Sequence, residues 1–173
     1  MSHIKVYHGS YIDIPNPKIL PALRPLDFGV GFYTTTLESQ AKIWAKRLAH
    51  RKNTQPVISE YLFDEKEAMI GCSYKKFKST CDSWLDLIIT HRSISAYTSQ
   101  GFGQVDIHHS YDIVYGEMLD DIISTNLNAY IAGVINKQEL KRRLVTQNPN
   151  NQICFCTELA LKYLQYNGSS NIL

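Results

Sequence analysis

The chain has 173 residues, a hydrophobic fraction of 44% and a formal net charge of +2. That length and composition suit one domain with an ordinary core, and the small charge gives no general bias toward nucleic acid or membranes. We see no apolar run of bilayer length and no secretory signal, so we expect a cytoplasmic protein. The four cysteines lack paired C-x-x-C spacing, which favours buried free thiols over a metal site or a disulfide framework.

The first predicted strand ends at His8, and a proline-rich segment from Ile12 to Pro25 follows it. Prolines exclude a helix over most of this segment and favour a semi-rigid loop. The loop presents Arg24, whose guanidinium would suit a bidentate contact with a phosphate. The alternative is a surface arginine that pairs with Asp27.

The segment Asp27–Thr36 places two glycines, Gly29 and Gly31, just before an aromatic and β-branched run. This pattern predicts a tight turn that leads into a strand and presents Tyr33 beside bare backbone. His8 is likewise followed by a glycine at the end of the first strand. We therefore expect two strand ends that hold opposite faces of one planar heterocyclic ligand.

Helical and strand patterns alternate along the rest of the chain, without a repeat, a low-complexity tract or a linker. We therefore expect a single domain over residues 1–173 with α+β architecture, in which the segment 93–110 is an irregular loop. The predicted elements are a helix from Leu37 to His50 opened by a capping box, a strand at Val57–Phe63, an acidic turn at Asp64–Glu67, a weaker strand at Ser73–Lys78, a short helix ending near Arg92, a strand at Tyr111–Tyr115, a helix from Met118 to Ile131, a short basic helix through Arg143, a final strand at Gln152–Cys156 and a closing helix through Leu164.

Four motifs occur in order: Tyr-His-Gly-Ser at 7–10, Asp-Phe-Gly-x-Gly-Phe-Tyr-x-Thr-Thr at 27–36, Tyr-Asp-Ile-Val-Tyr-Gly at 111–116 and Gln-Ile-Cys-Phe at 152–155. Together they resemble a family of small bacterial proteins of the ADP-ribosyltransferase fold, several of which are encoded like toxins of toxin–antitoxin pairs. More distantly, the first two motifs are similar to the His-Tyr-Glu pattern of diphtheria-toxin-like and poly(ADP-ribose) polymerase-like transferases. The resemblance implies split mixed and antiparallel β-sheets with flanking helices, and NAD as co-substrate without a metal.

The resemblance also implies roles for individual residues at an NAD site. His8 would bond a hydroxyl of the adenosine ribose, Gly9 would offer its main chain to the nicotinamide amide, and Tyr33 would stack on the nicotinamide ring. Gln152 stands where the better-known relatives carry a glutamate. The expected catalytic residues are Tyr33, Gln152 and His8, and the expected cofactor-binding residues are His8, Gly9, Ser10, Arg24, Gly31, Tyr33 and Thr35.

Gln152 is the departure from the better-known pattern. An amide can hold a ribose hydroxyl, but it lacks the negative charge that stabilises an oxocarbenium-like transition state. Three alternatives are open: Gln152 suffices for a slow or specialised transferase, an acid such as Glu158 or Asp121 substitutes, or the site binds NAD without turnover. We favour the first. The sequence also fits a Gln152 that merely satisfies the turn at Asn150–Asn151.

The resulting expectation is a NAD-dependent mono-ADP-ribosyltransferase that modifies a protein or nucleic acid and acts as the toxin of a toxin–antitoxin or defence system. A cognate antitoxin would then be a protein partner that covers the NAD cleft or the segment 93–110. The alternatives are an NAD glycohydrolase and a non-catalytic module that binds NAD or ADP-ribose. Basic clusters at Lys75–Lys78 and Lys141–Arg143 permit a nucleic-acid acceptor without establishing one.

Overall fold

The computed structural model describes residues 3–21, 26–98, 110–119, 121–144 and 150–172, with the side chains at 94–98 and 121–123 excluded. Within these residues, seven strands and six helices follow one another. The strands are β1 (Ile4–Ser10), β2 (Phe32–Thr34), β3 (Val57–Phe63), β4 (Tyr74–Lys76), β5 (Ile113–Gly116), β6 (Gln152–Phe155) and β7 (Leu164–Asn171). The helices are α1 (Glu38–Lys52), α2 (Glu65–Gly71), α3 (Asp82–Thr98), α4 (Asp121–Ile131), α5 (Lys137–Arg143) and α6 (Glu158–Leu161).

The described strands form two sheets. The first sheet has the order β1-β3-β7 and is antiparallel. The second has the order β2-β6-β5-β4 and is mixed, because β4 and β5 run parallel while its other pairs are antiparallel. This combination of helices with an antiparallel and a mixed sheet confirms the predicted α+β class.

The two faces of the second sheet enter different hydrophobic cores. Phe32, Ile153 and Phe155 on one face pack with Val6 and Phe63 of the first sheet. The rings of Phe63 and Phe155 meet edge to face, with centroids 5.0 Å apart. Because side chains alternate along a strand, the residues between them point to the other face, so β5 and β6 are buried on both sides.

Helices cover the other face of the second sheet. Trp84 of α3, Leu127 of α4 and Leu140 of α5 are buried there together with Val114 of β5. Burial of each such side chain is worth roughly 1.5–3 kcal/mol, so this layer holds α3 firmly against the sheet. Helix α3 thereby holds Arg92 near the helix-covered face of the second sheet. None of the described helices is both long and apolar enough to cross a bilayer.

Helix α3 is longer than the sequence indicated. The prediction ended it near Arg92, but it continues to Thr98, so the predicted irregular loop is wrong for residues 93–98. The segment Ser93–Thr98 contains neither glycine nor proline, and nothing in it would stop a helix that Trp84 already anchors. The part of the predicted loop at 99–109 lies outside the described residues.

The last element is a strand, where the sequence predicted a closing helix through Leu164. Helix α6 ends at Leu161, and β7 begins at Leu164 and pairs with β3. Leu164 and Tyr166 are half-buried and Gln165 between them is exposed, which is the two-residue period of a strand. The strand at Gln152 is therefore the second to last and not the final one.

Two predictions at helix starts were also wrong. The expected acidic turn is the beginning of α2, where the Asp64 side chain accepts a hydrogen bond from the Glu67 N–H at 3.2 Å. Helix α1 has Leu37 as its N-cap, and the expected capping box does not form. The Thr35 hydroxyl instead accepts a hydrogen bond from the Leu37 N–H at 3.1 Å.

The four cysteines are free thiols, as the sequence predicted. Cys154 and Cys156 are buried, whereas Cys72 is half-buried and Cys81 is exposed. The expectation of buried thiols is therefore right for the pair that lies on and just beyond β6. The two buried sulfur atoms are 3.4 Å apart.

Candidate functional site

Strands β1 and β2 belong to different sheets and touch where the sheets separate. Tyr7 and Thr35 exchange both backbone hydrogen bonds, at 2.8 and 2.9 Å. In a continued antiparallel ladder, the next pair on this edge would be Gly9 and Tyr33. Instead, Nδ1 of His8 lies 2.6 Å from the Tyr33 carbonyl oxygen and occupies the acceptor that Gly9 would use. The imidazole thus ends the ladder, and the sheets diverge from this point.

The separation leaves the main chain of Gly9 on an open strand edge. Peptide groups alternate between the two edges of a strand, so the Gly9 N–H and C=O point to the same edge as those of Tyr7, away from β3. Among the described residues, neither group has a hydrogen-bond partner. A neighbouring donor and acceptor of this kind complement a carboxamide, which also offers one of each.

The space that a Cβ would occupy at Gly9 and Gly31, in contrast, is filled by other atoms of the protein. A Cβ on Gly9 would lie 2.1 Å from the Ala41 oxygen and 2.9 Å from the Ala45 nitrogen of α1. A Cβ on Gly31 would lie 2.4 Å from the sulfur of Cys154. These two glycines therefore leave no space for a ligand on the side where a Cβ would lie. They allow close packing of the chain, and a ligand can reach Gly9 only from the strand edge.

His8 is held as a neutral ring with a free acceptor. A carbonyl oxygen only accepts, so the contact with Tyr33 assigns the proton to Nδ1 and leaves Nε2 as the acceptor. Burial lowers the pKa of His8, and the Tyr33 carbonyl only partly offsets this shift. The ring also stacks on Phe32, with centroids 4.5 Å apart. At neutral pH the side chain can therefore accept a hydrogen bond from a ligand hydroxyl.

The lowered pKa of His8 makes stability depend on pH. His8 takes up a proton near pH 6.5 in the unfolded chain and only at lower pH in the folded chain. The contribution of neutral His8 to the free energy of unfolding is therefore complete above about pH 6.5 and is lost as the pH falls below it. We expect the difference in unfolding free energy between wild type and His8→Asn to shrink between about pH 8 and about pH 5. Urea denaturation at a series of pH values measures this difference. A constant difference would contradict the burial of a neutral imidazole.

Tyr33 is half-buried and closes the predicted glycine turn with its hydroxyl. The hydroxyl accepts from the Phe28 N–H at 3.1 Å and donates to the Gly29 carbonyl at 2.7 Å. Gly29 has a φ of 79°, a left-handed conformation that favours glycine, so the turn is confirmed. Burial raises the pKa of the Tyr33 phenol well above its usual value. The hydroxyl is thus a fixed structural group, and stacking by the ring stays a prediction.

Replacing Tyr33 by phenylalanine should destabilise this turn. We expect the free energy of unfolding to fall by about 1–3 kcal/mol, because a buried donor and an acceptor lose their partner. Tyr115→Phe is the matched control, since no hydrogen bond of the Tyr115 hydroxyl occurs in the described part of the chain. Thermal or urea denaturation measures both variants. Equal losses would mean that the Tyr33 hydroxyl does not hold the turn.

A buried carboxylate lies beneath the start of β6. Asp27 is 6% exposed. Its Oδ1 accepts from Nε and Nη2 of Arg92 at 3.1 and 2.5 Å, and its Oδ2 accepts from the Leu119 N–H at 3.2 Å and from Nε2 of Gln152 at 2.9 Å. Arg92 is thus an ion-pair partner of Asp27, in the role that the sequence alternatively gave to Arg24. Arg24 itself lies outside the described residues.

The side chain of Gln152 points to this carboxylate and not to the preceding turn. Nε2 donates to Asp27 and more weakly to the Glu117 carbonyl at 3.4 Å. The reading in which Gln152 satisfies the turn at Asn150–Asn151 is therefore wrong. Oε1 of Gln152 has no partner among the described residues and is not one of the fully buried unpaired atoms. The amide thus presents an acceptor oxygen toward accessible space.

The start of β6 is tied to the start of α1 by Asn151. Its Oδ1 accepts from the Thr36 N–H at 2.9 Å and from the Thr35 hydroxyl at 3.2 Å. The Gln40 side chain bonds the N–H and C=O of Asn151 at 3.2 and 2.7 Å. The Thr35 hydroxyl therefore has internal partners, and its predicted contact with a cofactor would have to use its remaining lone pair. This network fixes the backbone that carries Gln152.

The candidate residues surround the separation between the sheets without forming one contact cluster. The register of β2 and β6 places Tyr33 opposite Cys154, and because side chains alternate along a strand, Gln152 lies on the same face of the second sheet as these two. His8 stacks on Phe32, whose side chain belongs to the opposite face. A ligand that reached His8 and Gln152 would therefore have to pass along the open edge of β1.

Of the two other acids suggested by the sequence, Glu158 lies away from Gln152. Glu158 begins α6, beyond the far end of the four-residue strand β6, and accepts a hydrogen bond from the Ile19 N–H at 3.2 Å. At a rise of about 3.3 Å per residue, this strand alone keeps it roughly 10 Å from Gln152. The side chain of Asp121 lies outside the described residues. Ser10 is buried at the end of β1, where it pairs with Val57, and its side-chain hydroxyl has no hydrogen-bond partner among the described residues.

Residues 4–166 match the model of a family described as "Protein of unknown function (DUF3990)". The chain belongs to this family. No curated protein and no solved structure matches the chain significantly. The matched span contains every residue of the candidate site, from His8 to Gln152.

Asp27 and Arg92 are the residues of this DUF3990 chain that sequence reasoning missed as a pair. The sequence pattern placed Asp27 at the glycine turn and suggested the neighbouring Arg24 as its partner, because Arg92 is 65 positions away. A buried acid directly before a Phe-Gly turn was the available signal, since an isolated carboxylate in a core needs a cation. The sequence did not say which cation would reach it.

Proposed function

We propose that the chain is a NAD-dependent mono-ADP-ribosyltransferase with the ADP-ribosyltransferase fold. The observation that carries the proposal is the open edge of β1, where Gly9 offers an N–H and a C=O beside His8 and Tyr33. Both groups of the nicotinamide carboxamide could pair with this edge, in the manner of a strand residue. Tyr33 is half-buried, and its ring could cover the pyridine ring.

Neutral His8 and Gln152 would bind the sugar part of NAD. The free Nε2 of His8 and the free Oε1 of Gln152 are both acceptors, and ribose hydroxyls are donors. In the transfer, the bond between ribose and nicotinamide breaks with its electron pair leaving on nicotinamide. The acceptor nucleophile forms the new bond to the ribose carbon and loses a proton to solvent. Site residues would thus act by fixing the ribose while the leaving group departs.

The charge distribution does not select the class of acceptor. The predicted basic clusters already contain ion pairs with neighbouring carboxylates. These pairs are Lys76 with Glu65 at 2.8 Å, Lys141 with Asp82 at 2.7 Å, and Arg142 and Arg143 with Glu139 at 2.8 and 2.6 Å. A protein or a nucleic acid therefore fits the proposal. The toxin role and the cognate antitoxin rest on the motif resemblance alone, and the cytoplasmic location rests on the sequence pattern alone.

One observation favours a second candidate, a module that binds NAD or ADP-ribose without turnover. Gln152 is neutral, and the carboxylate nearest to it is already paired with Arg92. Among the described residues, the carboxylate that contacts Gln152 is thus not a free negative charge that could stabilise a cationic sugar. NAD glycohydrolysis, with water as acceptor, uses the same groups as the transfer and differs only in the product.

Incubation with adenine-labelled NAD and a bacterial lysate tests the proposal. We expect nicotinamide release and label on a macromolecule, both lost in Gln152→Ala and Tyr33→Ala. Gln165→Ala, an exposed position on β7, is the matched control and should keep both. Tyr33→Phe keeps the aromatic ring and removes only the hydroxyl that holds the turn. It therefore distinguishes an effect of losing the ring from an effect of destabilising the turn.

The other outcomes decide between the alternatives. Free ADP-ribose without labelled macromolecule would identify a glycohydrolase. Binding of NAD by calorimetry without nicotinamide release would identify a binding module. Absence of binding would overturn the assignment of this edge as an NAD site.

A further inference from the structure

We infer that Asp27 is a positioning residue that makes Gln152 a pure hydrogen-bond acceptor toward the ribose of NAD. The inference rests on the proposed function for the identity of the ligand. The orientation of the Gln152 amide, in contrast, follows from the contacts of the buried Asp27 carboxylate. It can therefore be tested without NAD.

Both hydrogen bonds of the Gln152 side chain run from its nitrogen. Nε2 is 2.9 Å from Oδ2 of Asp27 and 3.4 Å from the Glu117 carbonyl oxygen, and neither of these groups can donate while Asp27 is ionised. A rotated amide would place oxygen against two acceptors. The amide is therefore held in one orientation, with Oε1 on the side away from Asp27.

Asp27 is itself held in place by its other contacts. Two donors of Arg92 reach Oδ1 and the Leu119 N–H reaches Oδ2, so the carboxylate has four donors in total with Gln152. The side chains of Arg92 and Asp27 are 19% and 7% exposed, which makes this a mostly buried ion pair. A charged acceptor also polarises the amide that donates to it, which makes Oε1 a better acceptor.

This arrangement gives a physical reason for glutamine at position 152. A glutamate there would place a carboxylate oxygen at the position of Nε2, about as close to Oδ2 of Asp27 as the present hydrogen bond. Two buried carboxylates at that distance cannot both be ionised, and one would retain a proton. Glutamine supplies the acceptor oxygen of a glutamate and remains compatible with Asp27. The departure from the His-Tyr-Glu pattern then follows from the carboxylate behind the site.

A charge-exchange cycle tests the inference. Gln152→Glu places a second carboxylate beside that of Asp27. Asp27→Asn replaces the acceptor Oδ2 by an amide nitrogen, so that three donors meet: this nitrogen, Nε2 of Gln152 and the Leu119 N–H. We expect each single variant to raise the equilibrium constant of unfolding about tenfold or more at neutral pH. The double variant Asp27→Asn/Gln152→Glu restores a donor and an acceptor between the two side chains, while the Leu119 N–H still faces an amide donor, so we expect it to be more stable than either single variant but less stable than wild type.

The matched controls are Gln165→Glu and Asp86→Asn, which make the same chemical changes at exposed positions. Both should leave the equilibrium constant within about threefold of wild type. Purely additive effects in the cycle, or a double variant less stable than either single variant, would overturn the inference.

Two further readouts separate positioning from general stability. In NMR spectra, the Nε2 protons of Gln152 should lie downfield in wild type and move upfield in Asp27→Asn, because the charged acceptor is lost. Nicotinamide release should fall mainly in kcat for each single variant and recover in the double variant. Unchanged Nε2 resonances in Asp27→Asn would overturn the inference. If wild type neither binds nor cleaves NAD, the proposed function fails while the cycle and the spectra still decide the role of Asp27.

Discussion

Replacing Asp27 by alanine is expected to lower the free energy of unfolding by about 3–5 kcal/mol. The change removes the acceptor of four hydrogen bonds and leaves the Arg92 guanidinium mostly buried without its counter-ion. An unpaired buried charge is costly because it has lost water on one side and its partner on the other. Urea denaturation at neutral pH measures the loss.

The control for this prediction is an ion pair at the surface. Asp86 pairs with Lys137, and their side chains are 55% and 41% exposed. Asp86→Ala should therefore cost less than about 1 kcal/mol. The double variant Asp27→Ala/Arg92→Ala should cost less than the sum of its single variants, because it leaves no buried charge. A loss for Asp27→Ala as small as that for Asp86→Ala would contradict the structure around this carboxylate.

Replacing Gly9 by alanine is the second change with a large expected effect. The added methyl group would lie 2.1 Å from the Ala41 oxygen and 2.9 Å from the Ala45 nitrogen, and both atoms belong to the backbone of α1. A helix backbone cannot turn aside as a side chain can, so β1 and α1 must move apart. We expect a loss of about 3 kcal/mol in the free energy of unfolding, at the upper end for overpacking.

Gly133→Ala is the control for that prediction. Gly133 has a φ of 73° and no atom within 4 Å of a Cβ, so its replacement tests backbone conformation without a steric clash. We expect a cost of about 1–2 kcal/mol there. If Gly9→Ala costs no more than Gly133→Ala, α1 does not pack against β1 as described. Loss of activity in a Gly9 variant should therefore be compared with its stability before it is assigned to ligand contact.

The sequence predicted the elements whose signals are local. Apolar residues at helical spacing gave α1 to within two residues at each end, and the apolar run Val57–Phe63 gave β3 with its observed bounds. The glycine turn before β2 was also right, because Gly29 needs a left-handed φ that few other residues adopt. Each of these features depends on neighbours within a few positions.

The features that the sequence missed depend on contacts across the chain. Strand β7 exists because it pairs with β3, and its own residues also fitted the end of a helix. The contact of Asp27 with Gln152 joins residues 125 positions apart. The role of His8 depends on register, since its ring takes an acceptor that strand pairing would otherwise give to Gly9. No local pattern specifies which strands meet or where a ladder ends.

We propose that the open edge of β1 receives the nicotinamide end of NAD. An NMR titration of the isotope-labelled protein with NAD tests it most directly. We expect large shifts of the Gly9 and Tyr33 backbone N–H signals at saturating NAD, while the buried Val6 signal, inside the first sheet, changes little. Unchanged Gly9 and Tyr33 signals at saturation would contradict this proposal. So would shifts confined to a separate groove, which is lined by Ile89, Tyr130 and Val134.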